Sequence, residues 1–80
     1  MFVYLLHYFN LKENGEIVSD IRLFKDYKVA KRLFQAKRDI IARNTRNTPK
    51  KIEFDDRNYY HTVTEEGDLY TLILKRKKVL

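Results

Sequence analysis

The run Asn14-Gly15-Glu16-Ile17-Val18-Ser19-Asp20-Ile21-Arg22-Leu23-Phe24-Lys25-Asp26 decides the fold, because it holds a turn, a strand and a helix start in succession. Asn and Gly tolerate the positive φ of a tight hairpin turn. After them Ile17, Ser19, Ile21 and Leu23 alternate with Val18, Asp20, Arg22 and Phe24, the period of two that marks a half-buried strand. This reading puts the Ile17/Ile21/Leu23 side against the core and leaves Asp20 and Arg22 in water. Lys25-Asp26-Tyr27 ends the alternation, and the Asp26 carboxylate suits an N-cap because it can accept from the free amides of the next turn.

A helix is expected from there. Val29, Ala30, Leu33, Phe34, Ala36, Ile40 and Ile41 recur at three- and four-residue spacing and span an arc of about 160°, wide enough to pack on a sheet. Lys28, Lys31, Arg32, Gln35, Arg38, Asp39 and Arg43 fall on the other side, which is therefore mostly basic. Lys37 projects from inside the apolar arc, where its stem can lie over Phe34 or Ile41 with the ammonium at the edge. Pro49 cannot continue a helix, so the element ends near Arg43 to Thr45 and a basic loop follows.

Upstream of the turn, Phe2-Val3-Tyr4-Leu5-Leu6-His7-Tyr8-Phe9 is apolar on both alternations and reads as a central strand. Downstream, Ile52-Glu53-Phe54 is a short extended piece. Tyr59-Tyr60-His61-Thr62-Val63-Thr64, the turn Glu65-Glu66-Gly67-Asp68, and Leu69-Tyr70-Thr71-Leu72-Ile73-Leu74 form a second hairpin. The expected fold is α+β, a two-layer ββαββ sandwich: a four-stranded mixed sheet in the order 2-1-4-3 with one helix on one face. The other face stays open.

Eighty residues, 44% apolar and 35% charged, with two Gly and one Pro, fit one domain over residues 1–80. Without Cys there is no disulfide, thiolate nucleophile or thiolate metal site. The sequence shows neither a signal peptide nor a run long enough to cross a membrane, and a cytoplasmic setting is expected. The net charge of +6 is unevenly held: residues 25–51 carry ten Lys/Arg against Asp26 and Asp39, and Lys75-Arg76-Lys77-Lys78 adds a basic tail. The acids collect near the two glycines. Such a dipolar pattern favours oriented approach to an anionic partner.

Catalytic chemistry has few candidates. Ser19 is the sole serine and has no His at a recognisable spacing. His7 and His61 without a third ligand make a poor metal site, and Asp55-Asp56 and Glu65-Glu66 sit in turns where acids are solvated. No catalytic residue, metal or cofactor is expected, and the chain reads as a non-enzymatic binding module. Lys28, Lys31, Arg32, Arg38, Arg43, Arg46, Lys50 and Lys51 are the residues expected to meet an acidic partner. Solubility alone could account for Lys28, Lys31 and Arg32, but an excess of eight positive charges over the 27 residues 25–51 is harder to attribute to it. Six tyrosines and five phenylalanines imply exposed rings on the open face, and Tyr4, Tyr8, Tyr59, Tyr60 and Tyr70 are the candidates for a second, aromatic interface. Stacking of unpaired bases on them would place nucleic acid opposite the basic helix, and the glycine-containing aromatic signature of RNA-recognition sheets is absent.

Val3-Tyr4-Leu5, Gly15, Phe24, Asp26, Ala30 and Phe34, with Tyr70 in the closing strand, resemble the small ββαββ proteins of phage and mobile-element genomes. The resemblance covers about half the chain and implies a non-enzymatic inhibitor or modulator of a host protein. A host protein is thus the first expected partner, nucleic acid the second, and a homodimer through the open face the third. No membrane partner is expected.

Overall fold

The computed structural model describes residues 1–79. Strands β1 (Phe2–Leu11) and β2 (Ile17–Phe24) precede helix α1 (Tyr27–Asn44), and β3 (Lys50–Asp56), β4 (Tyr59–Thr64) and β5 (Leu69–Lys78) follow it. They form one sheet in the order β2-β1-β5-β4-β3, with all four pairings antiparallel. The expected order is contained in this one, with two corrections. The sheet has five strands, since Ile52-Glu53-Phe54 lies within a full edge strand, and it is antiparallel rather than mixed. Every connection that brings neighbouring strands together is a hairpin, or the long return that sets β5 against β1, so no parallel pair arises.

Both tight turns use glycine where the sequence places it. Gly15 has φ +88° and Gly67 has φ +106°, a half-plane that L side chains rarely enter. The helix begins as expected: the Asp26 carboxylate accepts from the Lys28 amide at 2.8 Å. It ends at Thr45, whose amide and hydroxyl both donate to the Ile41 carbonyl, at 3.0 and 2.9 Å.

The core lies between α1 and the centre of the sheet. Leu6, Ala30, Phe34, Ile41, Tyr60, Leu72 and Leu74 are buried, with Tyr4, Tyr8, Phe24, Leu33 and Tyr70 packed against them. Leu6 pairs with Leu74 and Tyr8 with Leu72, so the even-numbered residues of β1 and β5 face the helix. Register then fixes β2. Leu6 opposes Arg22 and Tyr4 opposes Phe24, which carries Val18, Asp20, Arg22 and Phe24 to the helix side. This reverses the expected facing of β2: Ile17, Ile21 and Leu23 lie on the uncovered side, 60%, 58% and 64% exposed.

That uncovered side is apolar over most of its area. One row across the sheet reads Ile17, Leu11, Leu69, Val63 and Ile52, and a second reads Leu23 and Leu5 before reaching Lys75. Its central polar side chains pair within the face. His7 and Ser19 approach to 3.3 Å, and His61 and Thr71 to 2.9 Å.

Candidate functional site

The helix is rotated from its expected setting. Residues advance about 100° each along an α-helix, and the buried set Ala30, Phe34 and Ile41 centres roughly 60° from the middle of the apolar arc read from sequence. Two consequences follow. Lys31 and Arg38 turn toward the β3–β4 hairpin, while Val29, Ala36 and Ile40 emerge on the flank toward β2. Ile40 is 52% exposed.

The eight expected contact residues therefore divide. Arg38 reaches Asp55 at 3.1 Å and Asp39 at 3.6 Å, and Lys50 reaches Glu53 at 3.6 Å. Lys31 donates to the Arg57 carbonyl and, at 2.9 Å, to Asn58 Oδ1, with its ammonium 4.9 Å from the Phe34 ring centre. Desolvation, with Arg38 and Arg57 nearby, lowers the Lys31 pKa. Lys31 and Arg38 thus tie α1 to the β3–β4 hairpin, while Lys50 is paired within its own strand. Lys28, Arg32, Arg43, Arg46 and Lys51 are exposed and pair with no carboxylate among the described residues. Lys28, Arg32 and Arg43 share the outer ridge of α1 within an arc of about 60°.

Lys37 lies with its ammonium 4.8 Å from the Tyr8 ring centre, the snorkelling position expected of it but over a sheet residue. Tyr8, Lys37, Ile40 and Ile41 line a shallow cleft of about 130 Å³ between helix and sheet. So small a hollow suits a partner's side chain better than a small-molecule substrate.

The tyrosines do not assemble into one exposed surface. Register puts Tyr4, Tyr8, Tyr60 and Tyr70 on the helix side, where Tyr60 is buried and the other three half-buried; Tyr4 packs on Tyr27 at 5.3 Å between ring centres. Tyr59 alone faces the open side, stacked on His61. The open face is instead mainly aliphatic, with Phe9 and Phe54 among its apolar side chains. His7 and His61 are kept apart by β5, and no group of three metal-ligating side chains occurs among the described residues. No helix among them is long and apolar enough to cross a membrane.

A second cationic cluster forms where β1 begins and β5 ends. Arg76 opposes Tyr4 and lies 4.4 Å from the Phe2 ring centre; Lys75 opposes Leu5, and Lys77 opposes Val3. None of Lys75, Arg76, Lys77 and Lys78 pairs with a carboxylate among the described residues. Five of the acids, Glu13, Glu16, Glu65, Glu66 and Asp68, sit at the opposite end. The turns 12–16 and 65–68 lie side by side there, joined by the Glu13 amide donating to Asp68 at 3.0 Å. Both clusters are visible as charge runs in the sequence, but their placement at opposite ends of one sheet follows from topology.

Comparison with protein-family models, curated proteins and solved structures yields no match for this chain.

Proposed function

We propose that the chain is a non-enzymatic protein-binding module whose helix α1 grips a partner with an acidic surface, in the manner of an inhibitor or modulator of a host protein. The observation that carries this reading is the adjacency of an exposed apolar strip, Val29, Ala36 and Ile40, to the guanidinium groups of Arg32 and Arg43, which pair with no carboxylate among the described residues. Protein interfaces combine an apolar centre with a charged rim, and arginine serves the rim because its planar fork binds carboxylates in fixed geometry. The cleft beside Ile40 offers a seat for one anchoring side chain.

A second reading, nucleic acid, is favoured by the Lys75–Lys78 run, which pairs with no carboxylate among the described residues and can neutralise phosphates without an apolar centre. The two separate experimentally. Co-purification with wild type and with I40E and R32E/R43E variants should yield one acidic partner that both variants lose. Titration with mixed-sequence DNA and RNA at low and moderate salt should show little binding. Micromolar binding with a steep salt slope, indifferent to I40E, would replace the first reading with the second.

A further inference from the structure

On β2 the distribution of apolar residues is inverted for a monomer. The side toward the helix carries Asp20 and Arg22 between Val18 and Phe24, while the side open to solvent carries Ile17, Ile21 and Leu23 with Ser19. An antiparallel sheet with one solvated face ordinarily shows the reverse. The other edge strand repeats it: β3 places Glu53 and Asp55 on the helix side and Phe54, 60% exposed, on the open side. The chain's accessible surface, 5825 Å², exceeds the roughly 5,200 Å² typical of a folded monomer of 9.8 kDa. The excess goes with an elongated shape, 42 × 22 × 16 Å, in which one sheet is covered by a helix on one face alone.

We propose that this face is buried against the same face of a second copy, with the strands of the two copies running antiparallel. Size, polarity and charge all favour a copy of the chain itself. About 40 strand residues, each taking ~4.8 by ~3.3 Å, give a flat footprint of roughly 650 Å². Side-chain relief raises the accessible area above that, into the range of the ~800 Å² per partner buried in a stable interface. The central polar groups already bond to one another, as His7 with Ser19 and His61 with Thr71, so covering them leaves fewer unpaired atoms.

Charge selects the orientation. A two-fold axis that brings one sheet face onto its copy lies in the plane between them. Set along the strands, it would stack the basic end on the basic end. Set across the strands, it carries Lys75 and Lys77 of each copy toward the turn holding Glu65 and Glu66 of the other. The copies then meet as two aligned antiparallel sheets, a common sandwich packing, and both helices remain outward and free for a partner. This dimer uses the sheet face opposite α1, so it stands or falls separately from the binding role of the helix.

Analytical ultracentrifugation of the full chain, from low micromolar to several hundred micromolar, should reveal a two-copy species. I21E/L23E should weaken it by at least about tenfold while circular dichroism stays native, since both side chains are more than half exposed in the single chain. I21T/L23T keeps strand propensity and should weaken it less, guarding against a misfolded variant. K75E/K77E and E65K/E66K should each weaken association, and combining all four should restore it. A wild-type chain that stays monomeric throughout, or a dimer indifferent to I21T/L23T and I21E/L23E alike, overturns the proposal. Weakening by both charge variants without rescue in the combination overturns the antiparallel orientation.

Discussion

Arg38 on α1 and Asp55 on β3 form an ion pair at 3.1 Å, which ties the helix to the strand farthest from the sheet's centre on that side. Both side chains are partly exposed, at 32% and 52%. A double-mutant cycle of Arg38→Ala and Asp55→Ala should therefore give a coupling of about 0.2–1 kcal/mol in denaturant midpoints, shrinking in high salt. Zero coupling would mean that the hairpin holds its place without the helix. Because Arg38 has this structural duty, Arg32 and Arg43 are the cleaner probes of binding.

Tyr60 is buried between helix and sheet, and its hydroxyl has no hydrogen-bond partner among the described residues. Removing an unpaired buried polar atom relieves its desolvation cost. Tyr60→Phe should be neutral or stabilising by up to ~1 kcal/mol in urea denaturation. A loss larger than that would reveal a hydrogen bond to the hydroxyl.

Alkaline conditions should weaken the fold. Burial raises the Tyr8 and Tyr60 phenols above the usual 10.0, with Tyr70 adding to the first and Glu53 and Asp55 to the second. Above about pH 10 the unfolded chain releases these protons while the folded chain keeps them, so stability is full below that pH and falls as pH rises through the folded values. Lys31 acts with the opposite sign. Its lowered pKa means that the folded chain loses the proton first, and stability gains from this residue as pH approaches the usual 10.5. Denaturation midpoints from pH 8 to 11 should thus fall less steeply in a Tyr8→Phe/Tyr60→Phe variant and more steeply in Lys31→Met.

Gly67 turns β4 into β5 with φ +106°, and an added Cβ would meet the Glu13 Cβ at an ordinary 3.6 Å. Space is therefore not the constraint; backbone conformation is. Gly67→Ala should cost about 1–3 kcal/mol, read as a lowered melting temperature. An unchanged melting temperature would show that the turn relaxes into another form.

Much of this architecture is legible in the chain. The Asn14-Gly15 turn, the Asp26 cap, the helix end near Thr45 and the central pairing of the first and last strands all follow from local chemistry and apolar content. The full extent of β3 does not, because an edge strand exposed along nearly its whole length, Lys50 to Asp56, has no buried alternation to betray it. The facing of β2 fails for a different reason. Alternation identifies the strand, but the rule that apolar side chains point inward assumes a monomer's interior, and register to Leu6 and Tyr4 overrides it. The helix rotation is similarly invisible: Val29 and Ile40 are as apolar as Ile41, and only the position of α1 over β1 and β5 leaves them outside the core. The basic residues were legible as a group, but not the division between those that brace the β3–β4 hairpin and those left unpaired.

The adjacency of β1 and β5 also governs how the molecule comes into being during synthesis. Until Leu69 and the residues after it emerge from the ribosome, the first hairpin has no neighbour along one edge of β1 and no sheet wide enough to seat the helix. The nascent chain must carry β1 with one edge unpaired until β5 has been made. Acquisition of the native state should accordingly be abrupt and late, and dependence on cellular chaperones should concentrate in that interval.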